Sequence, residues 1–165
     1  MSADLLPSNI VELARRVVKE NAAAGRKIVV AESCTGGLVA AALTEIPGSS
    51  EVLDRGFVTY SNEAKQELLG VPEDIIDAFG AVSVACVFAM AHGALERSDA
   101  DVAVAISGIA GPGGGTDQKP VGTVVFARTV RGDSDPDAEE RMFEGEDRAG
   151  VRRQATLCAL ELLLP

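Results

Sequence analysis

Residues 27–45 read KIVVAESCTGGLVAAALTE. The apolar run Ile28, Val29, Val30 predicts a buried strand over 27–32. The LVAAAL run after it predicts a helix over 35–45, so Ser33, Cys34, Thr35, Gly36 and Gly37 fall where a strand turns into a helix. Such a turn lifts a hydroxyl or thiol out of the sheet and aims the next backbone N–H groups at whatever binds there. One segment can thus offer both a nucleophile and an anion hole. Its plain structural meaning is a βα loop whose glycines permit a tight turn.

The pattern continues on both sides. Ile10, Leu13, Ala14, Val17 and Val18 have helical spacing over 9–24, and Gly25 is a suitable stop. A strand follows over 52–60, then a helix capped by Ser61 or Asn62 and running to Leu69. A short helix over 72–79 and a longer one over 84–97, capped by Ser83, come next. Strands over 102–106 and 122–130 flank a glycine-rich loop at 108–119. A polar, acidic loop over 132–139, a short edge strand over 141–144 and a helix over 147–164 close the chain. Alternating strands and helices predict an α/β fold with helices on both faces of a sheet of about five strands. The close spacing of the late strands predicts a partly antiparallel, mixed sheet.

The 165 residues suffice for a single domain over 1–165, and 47% hydrophobic residues exclude a disordered chain. Aromatics are only 4%, so the core is aliphatic and base-stacking platforms for single strands are not expected. A net charge of -10 repels nucleic acid and anionic membranes, although a few converging cations would still admit a small anion. No apolar run is long enough to span a bilayer, and the N-terminal residues lack the basic-then-apolar order of a signal peptide. Three widely spaced cysteines, Cys34, Cys86 and Cys158, suit a reducing cytoplasm. With His92 the sole histidine, no zinc pattern arises.

Several residues could carry chemistry. Ser33 needs a base to become a nucleophile. His92 lies mid-helix among Met90, Ala91, Gly93 and Ala94, where packing or solvation is the simpler role. Lys65, in the segment Thr59-Tyr60-Ser61-Asn62-Glu63-Ala64-Lys65, is the other base. A lysine, with an ordinary pKa of ~10.4, works near neutrality only if burial or a nearby cation depresses it. Tyr60 ends the strand before that helix and could relay a proton or orient the lysine. Cys34 is a rival nucleophile, since thiols at helix N-termini ionise more readily. Ser61, one helical turn before Lys65, is a second rival, although capping explains it equally well. The loop Ser107-Gly108-Ile109-Ala110-Gly111 and beyond lets backbone approach a ligand closely, yet it is neither a P-loop nor GxGxxG. Arg148 and Arg152 share a face at the start of the last helix, where they oppose its dipole; a phosphate clamp explains them, as does pairing with Glu146 or Asp147.

Taken in order, these segments resemble the CinA C-terminal domain family of nicotinamide-nucleotide amidohydrolases. The matching stretches are AESCTGG (31–37), PGSS (47–50), DRGFVTYSNEAK (54–65), GAVS (80–83), SGIAGPGGG (107–115), KPVGTV (119–124) and Arg148-x-x-x-Arg152. They span about residues 9 to 163. The resemblance implies a three-layer α/β/α sandwich and hydrolysis of the carboxamide of nicotinamide mononucleotide to the nicotinate nucleotide and ammonia, in pyridine nucleotide recycling. It also implies a Ser–Lys mechanism without metal or cofactor, with Ser33 as nucleophile, Lys65 as base and Tyr60 assisting. Cys34, Thr35, Gly36, Gly37, Asn62, Ser107, Gly108, Gly111 and Arg148 are the expected substrate-binding residues. The chain looks like the stand-alone form of a family whose larger members carry another domain. It departs from the pattern at Val84, often acidic in the family, and in FEGEDR, one residue longer than usual before Arg148. Expected partners are a small-molecule nucleotide and further copies of the chain, but neither nucleic acid nor membrane. The competing class is a non-enzymatic nucleotide-binding or interaction module linked to competence or DNA damage.

Overall fold

The structure is a computed structural model that describes residues 3–165. The elements are α1 (Ser8–Ala23), β1 (Ile28–Glu32), α2 (Leu38–Thr44), β2 (Leu53–Val58), α3 (Asn62–Leu69) and α4 (Glu73–Phe79). They continue with α5 (Val84–Glu96), β3 (Val102–Gly108), β4 (Thr123–Val130), β5 (Asp137–Met142) and α6 (Arg148–Leu162). The five strands form one sheet in the order β2-β1-β3-β4-β5. β1 runs parallel to both β2 and β3, while β4 is antiparallel to β3 and to β5. The expected mixed sheet is thus present.

Strand alternation builds two cores. Ile28, Val30, Val104 and Ile106 face α1, α2 and α6 together with Val39, Leu43 and Val151. Val29, Ala31, Ala103 and Ala105 face the other way, toward Leu69, Ile76, Val87 and Met90 of α3, α4 and α5. The result is a three-layer α/β/α sandwich whose central strands are small and β-branched, as a sheet covered on both faces requires. No helix among the described residues is long and apolar enough to cross a membrane.

The connections position the site. The chain leaves β1 through α2 on one face and leaves β2 through α3, α4 and α5 on the other. Loops after these adjacent parallel strands therefore diverge, which opens a crevice at the carboxyl ends of the strands.

Two element boundaries differ from the sequence reading. The helix expected from Thr35 begins at Leu38, because Gly36 (φ 58°) and Gly37 (φ 101°) adopt left-handed backbone that no α-helix can include. The acidic loop expected over 132–139 is partly strand, since β5 already begins at Asp137. Its outer residues are charged and exposed, as on many open sheet edges, so no apolar alternation marks it.

Candidate active site

The carboxyl ends of β1, β2 and β3 bring the AES, TYS and SG segments side by side. Glu32 pairs with Val58 on one side and Ile106 on the other. The next residue, Ser33, donates its N–H to the Ile106 carbonyl at 2.9 Å, and Thr59 donates to the Glu32 carbonyl at 2.9 Å. Ser33 and Ser107 thus emerge together at the edge of the sheet.

Lys65 enters from α3. Ser61 caps that helix, its Oγ accepting from Ala64 N at 3.0 Å, and Gly70 ends it in left-handed backbone. Lys65 lies on the inner face and is 1% exposed. Its Nζ lies 3.0 Å from Ser33 Oγ, 2.8 Å from the Thr59 carbonyl and 3.4 Å from the Tyr60 carbonyl. Among the described residues no ion pair includes Lys65. Burial pulls its pKa below the ordinary lysine value, opposed only by the nearby Cys86 and Cys34 thiols. The three oxygens fit a neutral amine: two N–H bonds donate to the two carbonyls and the lone pair accepts the Ser33 hydroxyl proton. They fit an ammonium too, with the third hydrogen given to Ser33. The same geometry therefore serves both ends of a proton transfer.

The turn between β1 and α2 is held from within. Glu32 is fully buried, and its Oε1 accepts from Thr35 Oγ1 at 2.6 Å and Val39 N at 2.9 Å, its Oε2 from Ala40 N at 3.1 Å. Glu32 thus takes the N–H groups of Val39 and Ala40 at the start of α2. Gly36 N donates to the Ser33 carbonyl at 3.0 Å. Among the described residues the N–H group of Cys34, by contrast, donates to no other residue, and it is the donor left beside Ser33.

A cleft of ≈ 290 Å³ opens over Ser33 and Lys65. Cys34, Tyr60, Asn62, Ser107, Gly108, Gly111 and Arg148 line it as well. Thr35, Gly36 and Gly37 do not: the Thr35 hydroxyl turns inward to Glu32, and the two glycines shape the turn. Cys34 departs from the sequence reading in another way. Burial pushes its thiol up to about 11, outweighing any help from the turn, so it stays protonated at neutral pH. A Cβ on Gly108 would sit 3.1 Å from Cys34 Sγ and 2.8 Å from Val124, so only glycine lets β3 pass this close to the turn. Ala81 and Val82 also line the cleft. They belong to the GAVS match, which nothing in their own chemistry marks as part of a site.

Tyr60 has a different position from that expected. Its side chain is 62% exposed, and its hydroxyl accepts from Arg148 Nη2 at 3.1 Å. Since Lys65 reaches Ser33 directly, no relay through this hydroxyl is required. The other amino group of Arg148, Nη1, donates to the Gly111 carbonyl at 2.6 Å. Arg148 thus ties the glycine loop to the β2–α3 turn across the mouth of the cleft. Its partners are neutral and it forms no ion pair among the described residues, while Asp147 caps its own helix by accepting from Gly150 N at 2.7 Å. His92 faces solvent on α5 and pairs with Glu96 at 3.1 Å, away from the cleft.

This arrangement defines an α/β protein built around a serine held against a buried, unpaired lysine at the carboxyl edge of its parallel strands. The chain belongs to the CinA C-terminal domain family, whose sequence model matches residues 10–165. It is 52% identical over 157 residues to the nicotinamide-nucleotide amidohydrolase PncC of Escherichia coli K12, covering 94% of this chain and 93% of that protein. A CinA-like protein of Akkermansia muciniphila is 52% identical over 92% of this chain. There the chain spans only 36% of the relative's length, and with several other curated relatives it likewise spans about a third. The crystal structure of the competence/damage inducible protein CihA from Agrobacterium tumefaciens superposes with a TM-score of 0.93 at 50% identity, covering 99% of this chain and 97% of that one.

Proposed function

We propose that this chain is a nicotinamide-nucleotide amidohydrolase that cleaves the carboxamide of nicotinamide mononucleotide to nicotinate mononucleotide and ammonia. The observation that carries the reading is the Lys65 amine, buried, without an acid partner and 3.0 Å from the Ser33 hydroxyl. The name of the Escherichia coli relative supplies the substrate class.

The chemistry runs in two halves. Neutral Lys65 takes the Ser33 proton as Oγ attacks the amide carbon. The oxygen of that carbonyl becomes an oxyanion, facing the N–H group of Cys34; a donor so placed is worth about 3–4 kcal/mol to such a step. The Lys65 ammonium returns its proton to the leaving nitrogen, and ammonia departs from an acyl-serine ester. Water then attacks the ester, gives a proton to Lys65, and the Ser33 hydroxyl is restored from it. Tyr60 and Asn62 border the ring, and Arg148, facing only neutral partners, takes the phosphate with help from the backbone of Gly108 and Gly111.

The test is ammonia release from nicotinamide mononucleotide by the purified protein. Stoichiometric ammonia and nicotinate mononucleotide are expected. Tight nucleotide binding without ammonia overturns the reading and leaves a binding module in its place.

A further inference from the structure

Lys65 is buried on a helix that has almost nothing else to bury. Of the eight residues of α3 only Lys65 and Leu69 are buried, one turn apart on the same inward face. Taking an amine out of water opposes the docking of α3, and Leu69 is the apolar residue that offsets it. The main element on which α3 rests is α5.

Where the two helices meet, backbone touches backbone. A Cβ on Gly93 of α5 would lie 1.9 Å from the Leu69 carbonyl oxygen, 2.8 Å from its carbon and 3.2 Å from the Leu69 Cα. The obstacle is the main chain at the end of a helix, not the movable tip of a side chain. Gly93 is buried in the interior of α5, where glycine weakens a helix relative to alanine. Close approach therefore explains the glycine and helix propensity does not. An ordinary contact starts at 3.4 Å, so a methyl group at 93 moves the end of α3 outward by about 1.5 Å. Lys65 rides on the same short helix, its Nζ 3.0 Å from Ser33 Oγ. Among the described residues the titratable groups facing that amine are the Cys86 thiol of α5 and the Cys34 thiol of the β1–α2 turn.

We propose that Gly93 is a positioning residue for the base: the notch it leaves in α5 sets how deeply α3 sits, and through it the reach of Lys65 to Ser33. The proposal rests on Ser33 and Lys65 acting as nucleophile and base, as in the function proposed above. Gly93 does not line the cleft, so its effect falls on turnover and on the protonation of Lys65, not on substrate affinity. Lifting α3 lengthens the Lys65–Ser33 contact and lets water reach the amine. Hydration returns the lysine toward its ordinary pKa, so the neutral form appears only at higher pH.

The test uses Gly93→Ala and Leu69→Val, with Val17→Ala as a control and thermal unfolding followed in each. Val17 is fully buried on α1 in the opposite layer, so trimming it destabilises the protein without touching α3. Two rates are read across pH. The first is kcat, with KM, for nicotinamide mononucleotide. The second is modification of Ser33 by an alkyl phosphonofluoridate. In that reaction an Oγ–P bond forms, the P–F bond breaks, fluoride leaves and the hydroxyl proton passes to Lys65, so the rate reports the base without any amide substrate. Gly93→Ala is expected to lower kcat and the labelling rate together by about 10- to 100-fold, the scale of a misplacement of ~1 Å, with KM moving less than about threefold. The acid limb of both profiles is expected to move up by about one pH unit, part of what burial removes. Leu69→Val loosens the same joint from the α3 side and should give the same signature at about 3- to 10-fold, and it decides the matter if Gly93→Ala does not fold. Unchanged rates and profiles in the folded variants overturn the proposal, as does a raised KM with unchanged kcat, or a loss that Val17→Ala reproduces. If the wild-type protein labels at Ser33 but releases no ammonia, the substrate reading fails and the labelling profiles still decide the role of Gly93. If it does neither, both fall.

Discussion

The two walls of the cleft are held in contrasting ways. The turn at 33–37 is gripped between a buried carboxylate on one side and a guanidinium on the other, and its residues are mostly buried. The glycine loop at 108–119 faces it with its outer residues exposed. That loop is anchored at its base by Ile109 N on the Thr123 carbonyl at 2.9 Å, and farther out by the Arg148 bond to Gly111 and a Thr116–Lys119 turn. The difference separates two tasks. Bond-making needs atoms fixed within fractions of an ångström, whereas holding a ribose and a phosphate tolerates a backbone that adjusts. Substitutions on the turn side should therefore act on kcat, and those on the loop side on KM.

The sharpest way to break this comparison lies at the turn itself. Ser33→Ala is expected to abolish deamidation, whereas Cys34→Ala, two atoms of backbone away, keeps most of it. The Cys34 thiol sits near about 11 and is protonated at working pH, so it is no nucleophile there. Ammonia release from both variants decides; an active Ser33→Ala with a dead Cys34→Ala reverses the assignment.

Next in size is the base. Lys65→Met should lower kcat by several orders of magnitude with the circular dichroism spectrum unchanged. The pH profile follows from the sign of the shift. Burial favours the neutral amine, and the neutral amine is the form that accepts the Ser33 proton. Activity should thus rise with pH through a pKa that lies under the ordinary 10.5 and fall as the amine is protonated below it. Full activity lost only in His92→Ala would point to the other base, although His92 faces solvent beside Glu96.

The contrast between the walls also explains what could be read in advance. The layers and the strand order's parallel core follow from runs such as Ile28–Val30, whose alternate residues enter two different cores. The meeting of Lys65 with Ser33 follows from a helix cap at Ser61, a helical turn and a strand–turn junction, each with a local signal. Thr35 was legible only as part of the turn. Nothing in its neighbours says that its hydroxyl turns inward to Glu32, since that depends on a carboxylate buried three residues earlier. Arg152 carries no local signal of its contact with Cys34 either, because 118 residues separate them. The edge strand expected over 141–144 is β5, but its start at Asp137 escaped for the opposite reason: its outward residues are charged and carry no apolar period.

The middle-sized effect belongs to the junction of the two walls. Arg148 joins the loop to Tyr60 and faces no carboxylate, so the phosphate is its natural anion in a chain of net charge -10. Arg148→Ala should raise KM for nicotinamide mononucleotide by about 10- to 150-fold, the loss of a charge-assisted contact worth roughly 1.5–3 kcal/mol. KM for nicotinamide riboside, which lacks the phosphate, should change far less. Equal losses on the two substrates would assign Arg148 to holding Gly111 and Tyr60 in place instead.

The smallest effect tests the loop alone. Lys119 Nζ donates to the Phe79 carbonyl at 2.8 Å, bridging the far end of the glycine loop to the segment that carries Ala81 and Val82. Both ends of this bridge are exposed, so it competes with water and adds little to stability. Lys119→Met leaves the turn, Lys65 and Arg148 untouched. It should therefore leave kcat unchanged and raise KM by no more than about fivefold, the scale of an exposed charged contact of up to ~1 kcal/mol. Phosphate is not the partner here, so nicotinamide mononucleotide and the riboside should lose affinity equally. Steady-state kinetics on both substrates reads this directly. A fall in kcat would mean that the loop takes part in fixing the reacting atoms, and the division between a rigid wall and an adjustable one would have to be given up.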